Sequence, residues 1–385
     1  MNKVYNTQQD FTSSFKKFLE KIFPSIRKSQ IKIIPAIIFG MISSENVTAP
    51  DIAKKLKDDF SLVQTDSVIK RIRRLFKNKL FNGYDLYDKF IRFVIKTYKK
   101  KHDDKRVHII FDHMFSHANF TVFMISMRIG MQGIPLWFRC FKGKSDSNAF
   151  KEEMIKEGIS YVSELFDSSF ELIFLADRWF CSISLIEHIQ KLGHKYSIRL
   201  KGDTIVHYYD EKIRKYIWQS ARDLKSYEYH PTYYPNAYIT QKKFKTNLVI
   251  SKRHGVDEAW IIITNGDVKR AIKDYGYRYG GVETIFKNQK TNGFNLEKVV
   301  NASLKYFESM YSILCIAVTF MVIIGSDYTK NTKCYKSVKI VTHKKCNGKR
   351  QRTMSLFGVG LTLFNMAFNS SRYIRIPYSF TLYDS

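Results

Sequence analysis

Over residues 1 to 104 the apolar positions fall three and four apart, the period of helices that bury one stripe. In "NVTAPDIAKKL", Thr48 is placed as an N-cap with Asp51 completing an approximate capping box, and Ile52, Ala53 and Leu56 form the stripe. A second helix is predicted in "TDSVIKRIRRLFKNKLF", where Val68, Ile69, Ile72, Leu75 and Phe76 share a side. Lys70, Arg71, Arg73, Arg74 and Lys77 fill its other faces. Two short helices with a basic second one fit a helix-turn-helix-like DNA-binding region. They fit equally an ordinary helical bundle whose basic face is solvated.

From about residue 105 the period changes to that of strands. "RVHIIFDHM" reads as a strand ending at Asp112, followed by "ANFTVFMISMRIG" and "GIPLWFRCFKG", with Gly-containing turns between them, which makes an antiparallel meander. "SNAFKEEMIKEGISYVSELF" is a helix with Ser147 near its cap. "ELIFLAD" has the continuous apolar run of a strand buried on both faces. "SISLIEHIQKLG" is a helix closed by Gly193, and "KYSIRL" a fifth strand. The order β-β-β-α-β-α-β predicts an α/β chain with a ribonuclease H-like core, a mixed five-stranded sheet with flanking helices. Residues 203 to 266, rich in Tyr and Lys and strand-like in "KTNLVISKR" and "EAWIIITN", read as a β-rich insertion. Helix returns near 268, and "YSILCIAVTFMVIIG" at 311 to 325 falls short of the roughly 18 residues a membrane span needs. It is read as a buried helix. The predicted regions are therefore 1–104, 105–202, 203–266, 267–330 and a basic and helical C-terminal segment, 331–385.

Charge changes the picture most. With 64 Lys+Arg against 35 Asp+Glu the formal net charge is +29, spread over the whole chain. A solvated surface explains a few units of charge, whereas a field of this size calls for a polyanion, and nucleic acid is the expected partner. The five cysteines (Cys140, Cys181, Cys315, Cys334, Cys346) form no CxxC pair and predict a reducing compartment. Cys334 and Cys346 flank His343 at a spacing that fits no common zinc site. "MNKVYNTQQDFTSS" lacks the apolar segment of a signal peptide, so a cytoplasmic protein with no membrane partner is expected.

Against that basic background the acids at strand ends stand out. One aspartate there is usually a cap or turn former. Asp112 and Asp177, each at the end of a buried strand of one sheet, are predicted to lie side by side. Phosphoryl transfer on nucleic acid commonly uses two Mg²⁺ about 4 Å apart, and a third acid helps to hold the second. Glu283 is the candidate, with Lys290 on the same helix face two turns on. Other features carry less. His113 and His117 need not converge, "FKGKS" at 141 to 145 lacks the full phosphate-loop pattern, and Trp179 is assigned to core packing ahead of base stacking.

The segments "IIFD", "FLADRWF" with the following helix and "YSIRLKG", "WIIITN", and above all "YGYRYGGVETIFKNQKTNGFNLE" resemble the DDE transposases of bacterial insertion sequences. The resemblance, over roughly residues 45 to 370, is to the family-four branch with the signature Tyr-x2-Arg-x3-Glu-x6-Lys. It implies that Asp112, Asp177 and Glu283 bind two Mg²⁺, for which Mn²⁺ substitutes, and that Tyr275, Arg278 and Lys290 grip the DNA end. One departure is that four residues, Tyr279 to Val282, separate Arg278 from Glu283 where the signature has three. On a continuous helix this moves the arginine from about 40° to about 140° away from the glutamate. Gly280 and Gly281 offer a remedy, because a helix starting only after them leaves Arg278 free to point inward from a turn.

The resemblance further implies cut-and-paste transposition in the cytoplasm, at the bacterial nucleoid. Its partners are double-stranded DNA, namely terminal inverted repeats and target, and at least a second protomer. Two alternatives keep the core: a ribonuclease H-like structure-specific nuclease, and a catalytically inactive DNA-binding relic.

Overall fold

The computed structural model describes residues 6–56, 64–102, 104–116, 119–143, 151–241, 243–252, 254–256, 258–290, 293–335, 338–340, 342–346, 349–369 and 374–383. Six helices come first: α1 (Gln8–Ile22), α2 (Lys28–Ile31), α3 (Ile34–Ser44), α4 (Ala49–Lys54), α5 (Thr65–Lys77) and α6 (Gly83–Lys101). Thr48 caps α4 as expected, its hydroxyl accepting from the Asp51 amide and donating to the Asp51 carboxylate at 2.8 Å.

The meander follows as β1 (Arg106–Ser116), β2 (Phe120–Ile129) and β3 (Gln132–Lys142), then α7 (Glu152–Leu165), β4 (Glu171–Ala176), α8 (Ile183–Lys191) and β5 (Lys195–Arg199). Gly193 takes a φ of +81° just past α8, the left-handed conformation that ends a helix most easily in glycine. Ser147 lies outside the described residues, and α7 starts later than the apolar pattern suggested, with Lys151 at its N-cap.

The sheet is larger than the pattern predicted. Strands β6 (Ile205–Asp210), β7 (Lys215–Ser220), β8 (Thr232–Ile239), β9 (Phe244–Ser251) and β10 (Trp260–Thr264) do not stand apart from it. One ten-stranded mixed sheet runs β3-β2-β1-β4-β5-β10-β9-β8-β6-β7. β1, β4 and β5 are mutually parallel, and β10 joins the open edge of β5 antiparallel, pairing Ile262 with Arg199 and Thr264 with Ser197. The physical reason is that β5 would otherwise expose an unpaired edge, and the apolar β10 satisfies it. Five core strands and a β-rich segment are present, but as one continuous sheet.

After the sheet come α9 (Ala271–Gly276), α10 (Val282–Gln289), α11 (Leu304–Lys330), the hairpin β11 (His343–Cys346) and β12 (Lys349–Arg352), and α12 (Leu356–Asn369). α11 corrects another expectation. Its 27 residues make it long and apolar enough by length and composition to cross a membrane, yet 94% of its apolar window is buried within the protein. Phe307, Ile316, Phe320 and Ile324 are solvent-free, in one core shared with residues of α1, α3, α5, α6, α12 and β3. Burial on all sides explains why α11 lacks a polar stripe.

Candidate active site

The β1–β4 ladder pairs Arg106 with Glu171 and Ile110 with Leu175. Continued two residues past its last pair, the same parallel register sets Asp112 level with Asp177. Contrary to the sequence reading, Asp112 does not end its strand. β1 runs on to Ser116 against β2, and what stops near Asp112 is the partnership with β4, which opens a notch. Asp177 follows β4 directly and turns the chain into a 3-10 turn, Arg178–Phe180, accepting from the Arg178 amide at 2.7 Å.

The third acid arrives through a close backbone approach. α10 begins only at Val282, after a 3-10 turn over Tyr277–Gly280 and the break at Gly281. A Cβ on Gly281 would stand 2.6 Å from the Ile110 side chain, and one on Gly133 would stand 2.5 Å from the Gly281 carbonyl. Glycine at both positions lets the start of α10 lie directly on β1 and β3. Thr284 fixes the contact, donating to the Gly281 carbonyl at 2.6 Å and accepting from the Gly133 amide at 3.1 Å.

This path turns Arg278 inward, as the glycine pair predicted. Its guanidinium lies 3.1 Å from Asp112, 3.3 Å from Glu283 and 3.9 Å from Asp177. The three acids therefore converge, and the charge at their centre is the protein's own arginine, whose side chain is only 9% exposed. Burial raises Asp112 above its ordinary value, although Arg278 and the His113 amide pull it back. Burial likewise raises Glu283, with Arg278 opposing and Asp112 and Asp177 adding to the rise. Three carboxylates held this close need positive charge, and one arginine does not fully supply it.

The donor set suits a hard divalent cation, because all three ligands are carboxylate oxygens gathered around a positive centre. Among the described residues no group of three or more Asp, Glu, His or Cys side chains is arranged to hold a metal ion.

The remaining expected residues scatter. Lys290 closes α10, donating to the Phe115 carbonyl of β1 at 3.2 Å and pairing with Glu297 at 3.0 Å, a partner the spacing gave no sign of. Tyr275 is fully buried, edge-on to Trp260 at 5.1 Å, its hydroxyl raised to about 12 by burial. His113 stays beside Asp112, its pKa lowered by burial, and His117 lies outside the described residues. Trp179 contradicts its assignment to the core. Its neighbour Phe180 fills that role, and Trp179 is 48% exposed at the mouth of the notch.

Trp179 lines a cleft of about 620 Å³ with Asp177, Arg178, Lys201, Asp203, Arg222 and Glu258, so its charges are mixed. Glu258 spans Arg178 at 2.6 Å and Arg199 at 2.8 Å, tying the loop before β10 to the end of β4. Sequence reasoning missed this cleft because its members come from four separate segments.

Lys70, Arg71, Arg73 and Arg74 are exposed on the solvent side of α5, opposite the buried Val68, Ile72, Leu75 and Phe76. Arg71 and Arg74 line a groove with Lys28 and Lys32, whereas Arg73 lines another with Lys77 and Lys298.

Among solved structures, the chain is similar to a piggyBac transposase synaptic complex with hairpin DNA, with 13% identity, a TM-score of 0.42, and 93% of this chain and 77% of that one covered. It is similar also to Marinitoga piezophila Argonaute in complex with 5′ OH guide RNA and target DNA, with 14% identity, a TM-score of 0.24, and coverage of 57% and 36%. No protein-family model and no curated protein matches the sequence. The site defines a mixed α/β protein with three carboxylates gathered beside a cleft of mixed charge, and the functional reading rests on that geometry.

Proposed function

We propose that this protein is a DDE transposase that moves an insertion sequence by cut-and-paste, cleaving DNA at the element ends and joining them to target DNA. The observation that carries the reading is the convergence of Asp112, Asp177 and Glu283 on one buried cation. The strand order β3-β2-β1-β4-β5 within the sheet supports a ribonuclease H-like core, and the +29 charge supports DNA as partner.

The three carboxylates would hold two Mg²⁺, or Mn²⁺ in their place, which supply activation of water and then of the freed 3′-hydroxyl, and neutralise charge on the phosphorane. The chain's own groups do the rest. Arg278, once displaced from the acids, is positioned to meet a phosphate as a bidentate donor. Lys290, once released from Glu297, adds a point charge for the DNA end. Tyr275 is too deep to touch DNA in this state and acts as a positioning residue under Arg278. Arg178, Lys201 and Arg222 would follow the strand leaving Asp177, with Trp179 flanking it. The helices of residues 1–104 would hold the duplex, and pairing of two ends calls for a homodimer or larger complex on DNA, in the cytoplasm.

The test is incubation of the purified chain with Mg²⁺ and a fragment carrying the inverted repeats that flank its own gene. Nicking at the repeat boundary followed by joined products is expected. Cleavage without joining assigns the site to a structure-specific nuclease, and binding without cleavage to an inactive relic. A further prediction concerns α5. Neutralising Lys70, Arg71, Arg73 and Arg74 together should lower the slope of log affinity against log salt by about 2 to 4 on duplex DNA. An unchanged slope places the duplex elsewhere.

A further inference from the structure

The outer end of the sheet carries a surface that the acid cluster does not explain. Register places Trp218 of β7 opposite His207 of β6, His207 opposite Tyr238 of β8, and Tyr238 opposite Lys245 of β9. Those four side chains form one cross-strand row. Tyr216 and Tyr209, paired two residues along, begin a second row on the same face. The opposite face, with Val206, Tyr208 and Ile239, is buried in the core. The rings on the outer face are open to solvent: Trp218 is 48%, Tyr209 50% and Tyr216 57% exposed.

These rings are already arranged as a platform. His207 stacks on Trp218 with centroids 4.1 Å apart and planes at 19°, and lies 4.7 Å from Tyr216 and 5.9 Å from Tyr238. Tyr209 and Tyr216 are 5.3 Å apart. Burial lowers the His207 pKa, with Lys243 adding to the effect, and both favour the neutral ring. Cations rim the rings. Lys243 stands 5.8 Å over Trp218, Lys245 closes the first row, and Lys212 and Arg214 occupy the β6–β7 turn, where Glu211 is the acid.

We infer that this aromatic face of β6, β7 and β8 binds single-stranded DNA, stacking unpaired bases on Trp218, His207 and Tyr216 while the surrounding lysines hold the phosphates. An open sheet face with two rows of rings takes about two or three bases, and stacking on it requires bases free of a duplex. The positive rim matches the phosphate backbone. A second copy of this basic chain would meet like charge there.

The inference extends the proposed function to DNA without complementary pairing, and it does not depend on catalysis. The experiment uses the full chain in EDTA, so cleavage plays no part. Fluorescence anisotropy would follow a labelled oligo(dT) of about 20 nucleotides and a hairpin duplex of similar charge. Trp218→Ala and Tyr216→Ala should each weaken oligo(dT) binding about 5- to 100-fold and change duplex binding by less than about twofold. Trp218→Phe should retain most of the affinity, which a merely structural role for the indole would not predict. Equal losses on both ligands, or none on oligo(dT), overturn the inference. A change in sedimentation of Trp218→Ala with oligo(dT) binding intact also overturns it, and assigns the face to a second copy of the chain.

Discussion

Asp112→Asn and Asp177→Asn are each expected to lower DNA cleavage and joining by about 10³-fold or more while leaving the fold and DNA affinity intact. Asparagine keeps the size of each side chain but removes the negative charge that holds a divalent cation, and a metal ligand is lost together with the chemistry it supports. The fold should tolerate the change. Asp112 costs energy as a buried carboxylate, and its raised pKa records that cost. DNA affinity should hold or rise slightly, because removing an acid from a DNA-facing notch reduces repulsion. Quantitative gel assays on one labelled repeat end, with circular dichroism for the fold, measure both. Near wild-type cleavage by Asp177→Asn would remove Asp177 from the chemistry and leave it as the cap of the Arg178–Phe180 turn.

The second large effect is expected at Arg278. Replacement by Gln leaves three clustered carboxylates without their counter-charge. Breaking a fully buried pair costs about 3–5 kcal/mol. These acids are partly solvated, so the expected loss is about 1–3 kcal/mol in EDTA at about pH 8. Its pH dependence has a definite sign. Folding raises Asp112 and Glu283 above their ordinary values of 3.8 and 4.5, so the folded state binds their protons more tightly than the unfolded one. The stability they contribute is full below those ordinary values and is lost as pH rises through the raised ones. In Arg278→Gln both groups lose the cation that pulls them down, so the loss widens and extends to higher pH. Urea melts should show the variant closest to wild type in acid and furthest from it above neutrality. Mn²⁺ should restore stability to the variant and bind it more tightly than wild type when no DNA is present, because the guanidinium no longer competes for the carboxylates. A deficit independent of both pH and Mn²⁺ would show that Arg278 serves packing alone.

Much of this site was legible in the chain. "ELIFLAD" reads as a strand because a parallel strand covered on both faces needs an unbroken apolar run, and an acid at its end has nowhere to go but the sheet's rim. Gly280 and Gly281 foretold the inward turn of Arg278, since a helix that starts after them releases the preceding residue from helical phase. Other features depend on contacts between distant segments, which periodicity does not encode. The pairing of β10 with β5 turns an apparent insertion into half of one sheet. The exposure of Trp179 depends on Phe180 taking the inward position, and in sequence the two aromatics look alike. The apolar run at 311 to 325 is only the middle of α11, whose two ends carry polar residues although its middle is buried on every side.

The central claim is that Asp112, Asp177 and Glu283 form a divalent-metal site which Arg278 occupies until DNA displaces it. Anomalous diffraction from crystals grown with Mn²⁺ and a cleaved repeat end tests it most directly. The account predicts anomalous peaks within about 2.0–2.4 Å of carboxylate oxygens of all three acids, with Arg278 turned onto a DNA phosphate. DNA bound in the cleft, Mn²⁺ at saturating concentration, no peak at the three acids and Arg278 still seated among them would contradict it.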